Sequence, residues 1–166
     1  MNPLWDYFWP VFTAGLAVGV VFGWLAYRRW ARRIAYWIGG GAVAVTLALA
    51  WHGPLGAADR FVTQVDRNAR ATLIDNYIPQ VSAHLHRGPL TRRMILAGPA
   101  DDFQRSELVR IMGDLPGVSD AQWSGQPGGI PLIVEGAAAA LVGFLFGLLF
   151  AYFIELRRRY NAQWNW

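Results

Sequence analysis

MILAGPADDFQRSELVRIMGDLPGVSDAQW, residues 94–123, is the stretch on which the reading of the whole chain turns. It has mixed charge, a helix start and a Pro-Gly turn, as a water-soluble unit does, yet long apolar runs lie before and after it. Asp101 followed by Gln104 has the form of a capping box, and Leu108, Ile111, Met112 and Leu115 fall on one helical face. Pro116-Gly117 then turns the chain into VSDAQW, a short strand. Upstream, TRRMILAG (91–98) reads as a strand closing on a glycine, and VSAHLH (81–86) alternates as a strand does. ADRFVTQVDRNARATLIDNYI (58–78) sets Phe61, Val65, Ala69, Leu73 and Tyr77 at a spacing of four, which predicts an amphipathic helix stopped by Pro79. Residues 53–129 are thus expected to form a small α+β domain of order α-β-β-α-β.

Outside this segment the composition changes. Of 166 residues 54% are hydrophobic and only 16% charged, where soluble domains carry roughly 25% charged residues. Residues 8–27, 34–51 and 130–154 are apolar runs near the ~20 residues a helix needs to cross a bilayer. The first two hold no charge and the third holds only Glu135. No basic stretch precedes the first run and no small-residue cleavage site follows it, so it reads as a retained span and not a signal peptide. The chain therefore divides into residues 1–52 with two transmembrane helices, the domain at 53–129, and residues 130–166 with a third helix and a tail. The linker SGQPGG (124–129) is short and keeps the domain close to the bilayer surface.

All 15 basic residues are arginine. Arg28, Arg29, Arg32 and Arg33 lie between the first two runs, and Arg157, Arg158 and Arg159 follow the third. By the positive-inside rule both segments are cytoplasmic, which puts the N-terminus and the central domain on the outer side. Trp5, Trp9, Trp24, Tyr27, Trp30, Trp51, Tyr152 and Tyr160 sit where interfacial aromatics belong. Residues 53–129 hold eight Arg against seven Asp and Glu107, a balance of zero. The positive excess is a topology signal, and no basic face remains for nucleic acid.

With that order in hand, LAG, a helix of mixed charge and LPGVSDAQW resemble the BON domain family over residues 58–123. Gly98, Pro116, Gly117 and Val118 are the positions that match. The family also has a glycine six residues before the one matching Gly98, in a tight hairpin, whereas here the nearest is Gly88, which predicts a longer hairpin. The ending on Trp123 and Gly125 departs from the family as well. The resemblance implies a non-enzymatic module of the bacterial envelope that binds phospholipid or other envelope components. The expected location is then the inner membrane, multi-pass, with the central domain periplasmic and the C-terminus cytoplasmic.

Few residues offer chemistry. His84 and His86 form an H-x-H pair that a strand would present on one face, a weak metal-ligand candidate that only Asp101 or Asp102 could complete across the fold. Glu135 is the one carboxylate inside an apolar run; it reads either as a proton-linked or helix-contacting group or as a side chain reaching interfacial water. Glu155 is placed to pair with Arg158 or Arg159. Gly15, Gly19 and Gly23, and Ala139, Gly143, Gly147 and Ala151, form two ridges of small residues at every fourth position, suited to close helix packing within one chain or between chains. There is no cysteine, and no phosphate loop, nucleophile elbow, zinc or haem motif. Neither enzymatic activity nor a cofactor is expected. The expected partners are membrane lipids and other membrane or envelope proteins, a second copy included. Two functional readings stay open: a tethered envelope-binding domain, or an accessory subunit of a larger integral complex recognised through its small-residue faces and its terminal NAQWNW.

Overall fold

A computed structural model describes residues 2–123 and 128–163, leaving out the side chains of Trp30 and Gln163. Most of the SGQPGG linker, with Gly125, and the last three residues of NAQWNW lie outside the described residues. The elements are α1 (Pro3–Arg28), α2 (Arg33–His52), α3 (Ala57–Asp75), β1 (Ser82–Arg87), β2 (Leu90–Ala97), α4 (Asp102–Gly113), β3 (Asp120–Gln122) and α5 (Leu132–Gln163), with a short 3-10 turn at Trp30–Arg32. The chain is mostly helical with one three-stranded sheet, and it forms two compact units. One comprises residues 1–7 and 56–135, the other residues 8–55 and 136–166.

In the first unit the strands run in the order β1-β2-β3. β1 and β2 are antiparallel, with His84 opposite Ile95 and Leu85 opposite Met94. β2 and β3 are parallel, Met94 facing Ala121, and α4 is the crossover that such a pair requires. α3 packs on β1, and α4 on β3 and β2. The core follows from the periodicities: Phe61, Val65, Ala69 and Leu73 of α3 and Leu108 and Met112 of α4 are buried with Leu85, Met94, Leu96 and Ala121 of the sheet. Each large apolar side chain among them contributes about 1.5–3 kcal/mol on leaving water.

Local signals explain the boundaries. Gln104 N donates to Asp101 Oδ1 at 2.7 Å and Asp101 N to Gln104 Oε1 at 3.2 Å, closing the capping box of α4. Val118 N donates to Leu115 O at 3.0 Å across Pro116-Gly117. Gly117 has φ 105°, and a Cβ there would stand 2.7 Å from Val65 Cγ2. Gly98 has φ 141°, and a Cβ there would lie 2.8 Å from Gln80 O. Both glycines are thus demanded by the backbone itself.

Several expectations are corrected. Tyr77 does not extend the α3 stripe; it is 91% exposed with φ 60°. Tyr77 N donates to Ile74 O and Ile78 N to Leu73 O, both at 3.0 Å, which is the hydrogen-bond pattern of a Schellman motif with tyrosine in the left-handed position. The longer hairpin takes its extra length in the strands, with Arg87 paired to Leu90 around a cis Gly88-Pro89. β3 is only three residues, because Val118 is held in the turn and Trp123 turns back to give its Nε1–H to Arg105 O at 3.0 Å. α1 begins at Pro3, five residues before the apolar run, with Leu4 N bound to Asn2 Oδ1 at 3.0 Å, an N-cap followed by proline at the first helical position. α5 runs past residue 154 because Glu155 pairs with Arg158 and Arg159, each at 3.0 Å, one turn on.

The second unit is built from α1, α2 and α5. Val11, Ala44, Ala48, Ala140 and Phe144 form its buried cluster, with Val18, Phe22, Trp51 and Leu148 packed around it. All three helices are long and apolar enough to cross a membrane.

Candidate functional sites

The two small-residue ridges meet each other inside the chain. A Cβ on Gly19 would stand 2.9 Å from Gly147 Cα, and one on Gly147 would stand 2.8 Å from Gly19 Cα. Gly15 faces the backbone of Ala140, Gly143 that of Phe12, and a Cβ on Gly23 would lie 2.8 Å from the Ala151 methyl. The contacts advance together along both helices, so α1 and α5 run parallel with their backbones in direct apposition. Ala139 is the exception: it is only half-buried, and Ala140 beside it is the residue that Gly15 meets. Gly40 of α2, which the ridge pattern did not single out, sits against Phe22 and Phe144; a Cβ there would lie 2.8 Å and 2.6 Å from their rings.

The arginines of the second unit gather at one end of it. Tyr27, which precedes Arg28, packs on Tyr152 at 5.8 Å between ring centroids, and Arg33 and Arg159 line one pocket. Arg28 lies over Trp24 at 4.1 Å, Arg29 donates to the Tyr36 hydroxyl at 3.3 Å, and Arg158 and Arg159 share Glu155. Arg32 closes the 3-10 turn and Arg157 is exposed.

Glu135 belongs to the first unit and lies in the first turn of α5, where the helix dipole favours a carboxylate. Its Oε2 is 2.8 Å from Arg92 Nε, with both side chains less than a quarter exposed. The contact is an ion pair without the alignment of a hydrogen bond, and it gives the carboxylate a partner that sequence spacing could not reveal. Pro131, just upstream, bridges Thr91 of β2, so two points tie the entry to α5 to the same strand.

The histidines make a poor metal centre. His84 is exposed, and the register irregularity between Leu85 and Arg87 falls at His86, whose Nδ1 lies 3.0 Å from Pro89 O. Among the described residues no group of three or more His, Asp or Glu comes together, so Asp101 and Asp102 do not complete a site.

A cleft of about 350 Å³ lies between α3 and the free edge of β1. Leu73, Ile74 and Val81 give it apolar walls, with Asp66 and Arg70 at the polar side. Asp66 accepts Leu85 N at 3.2 Å and pairs with Arg87 at 3.2 Å. Leu85 N–H therefore faces away from β2, and by the two-residue period so does that of Ala83, which also lines the cleft. Ile74 is 55% exposed and stands four residues from Arg70 on the same helix. Sequence reasoning missed this cleft, since only the sheet order makes β1 an edge.

No family model, curated protein or solved structure matches the chain, so no family membership is assigned to it.

Proposed function

We propose that the chain is a non-catalytic membrane protein whose three apolar helices span a bilayer and hold a BON-like α+β domain on the side opposite the arginines. The observation that carries this reading is what the apolar helices leave uncovered. In none of their most apolar windows is more than 28% buried, and Ile34, Ile38, Leu145, Phe146, Phe150 and Phe153 are among the large side chains left outward. A soluble molecule does not leave that much contiguous apolar surface in water. With positive-inside weighting, the arginine end is cytoplasmic and the domain is periplasmic in a bacterial inner membrane. The domain then binds envelope phospholipid through the α3–β1 cleft, where Arg70 stands beside the exposed Ile74 and Tyr77 follows at the helix end. The accessory-subunit reading loses its main support, because the ridges that would recognise a partner are occupied by each other.

Two measurements test this. The chain lacks cysteine, so Ser82→Cys and Asn161→Cys variants are singly labelled. A membrane-impermeant thiol reagent should reach Ser82→Cys in spheroplasts and Asn161→Cys only after lysis; equal labelling of both would defeat the spanning topology. For binding, the full chain in phosphatidylcholine nanodiscs should capture phosphatidylethanolamine–phosphatidylglycerol vesicles, and Ile74→Ser with Tyr77→Ser should abolish the capture. Vesicle capture that is absent, or indifferent to those substitutions, removes the cleft from the proposal.

A further inference from the structure

The arginine end of the three-helix unit contains a pocket of about 290 Å³ lined by Tyr27 of α1, Arg33 and Trp37 of α2, and Tyr152, Glu155 and Arg159 of α5. Its charge is unbalanced. The unit holds seven arginines and one carboxylate, Glu155, so six positive side-chain charges remain at that end. Arg159 reaches Glu155 through Nε at 3.0 Å, which leaves the two Nη groups of its fork to serve a ligand. Arg33 stands with its Cζ 5.9 Å from the centre of the Trp37 ring. Trp37 Nε1 is buried and has no hydrogen-bond partner among the described residues. A buried indole N–H without an acceptor is costly, and Trp37 lines this pocket.

A second pocket, of about 330 Å³, shares Tyr27 and Glu155 with the first; its walls are mainly Val20, Val21, Trp24 and Ile154, with Arg158 at the rim. The basic end therefore combines guanidinium groups and an unused indole donor with adjoining apolar walls. That is the pattern expected of an anionic headgroup carried on acyl chains, and basic pockets between helices at the cytoplasmic side suit such headgroups.

We propose that this pocket is a binding site for one anionic phospholipid, with the phosphate held by Arg33, Arg159 and the Trp37 N–H and an acyl chain lying along the neighbouring apolar wall. The site is distinct from the α3–β1 cleft of the other unit, and it rests on the membrane-spanning reading. Glu155 sets the position of two of the arginines and offsets only one of their two charges, so the site is assembled before the lipid arrives.

The test is native mass spectrometry of the full chain released from nanodiscs that contain equal phosphatidylglycerol and phosphatidylcholine. One phosphatidylglycerol should remain bound in preference to phosphatidylcholine, and Arg33→Gln with Arg159→Gln should weaken its retention about thirtyfold, taking about 1 kcal/mol per arginine. Trp37→Phe keeps the ring and removes the N–H, so a folded variant should lose retention by a smaller factor. Arg157→Gln, outside the pocket, should change nothing. Equal retention of both lipids, or equal loss on Arg157→Gln, overturns the proposal by reducing it to general charge attraction. Displacement by millimolar inorganic phosphate overturns it in favour of a free-anion site. A chain that enters no nanodisc defeats the spanning reading itself, whereas one that inserts without lipid preference defeats only this inference.

Discussion

The two units of this chain place apolar and charged side chains in opposite ways. The α+β unit hides Leu85, Met94, Leu96, Leu108 and Met112 and distributes its charges in short pairs, Arg87 with Asp66 at 3.2 Å and Arg93 with Asp120 at 3.3 Å. The three-helix unit turns its large apolar side chains outward, packs glycine and alanine inward, and gathers its arginines at one end. In the first, cohesion comes from removing large side chains from water. In the second, the helices cohere because small residues let backbones touch, as in lipid, where apolar burial gives no advantage. The same chain thus holds two kinds of packing, large side chains buried in one unit and backbones in close contact in the other.

The contrast is broken most severely by filling the inner ridge. Gly19→Leu would drive a side chain into Phe144 and Gly147, and overpacking of this kind should cost about 3 kcal/mol. Hydrogen exchange on the full chain in detergent should show α1 and α5 opening while β1 and β2 keep their protection; uniform loosening of both units would contradict separate packing rules. A smaller effect is expected from Glu135→Ala, which leaves Arg92 partly buried without its carboxylate. About 2 kcal/mol should be lost, read as faster exchange at Arg92 and its neighbours in the α+β unit and not in the Gly19–Gly147 contact.

Tyr77→Gly runs the other way. The tyrosine is exposed and its left-handed backbone is strained, so glycine should raise the stability of the α+β unit by about 1 kcal/mol, seen as a higher denaturation midpoint. If vesicle capture also fell, Tyr77 would be retained for contact at the expense of stability. The smallest effect belongs to Glu107. Its hydrogen bond with Arg110 holds the carboxyl below the usual carboxylate range. The pair therefore contributes above that range and is lost as pH falls through the lowered value. NMR titration should detect the depressed carboxyl, while fully solvated charges leave the unfolding midpoint almost unmoved.

Legibility followed the range over which each signal acts. The α4 capping box, the Pro116-Gly117 turn and the buried stripe from Phe61 to Leu73 depend on residues within a turn or two of each other, and all were readable. Tyr77 was misplaced because spacing alone cannot see that the helix ends at Asp75, four residues before Pro79. The α3–β1 cleft was invisible, since nothing in VSAHLH says whether the strand lies at an edge or a centre.

By itself the sequence determined the order of the elements, the three long apolar runs and the confinement of the arginines outside residues 53–129 to two short segments, because hydropathy and local hydrogen bonding act between near neighbours. Only the tertiary structure decided that Gly19 would meet Gly147, that Glu135 would find Arg92, and that Arg33 and Trp37 would line one pocket with Arg159. Each of those pairs lies far apart along the chain. Their meeting depends on which helix faces pack and on where β2 runs, a choice made by the whole core at once.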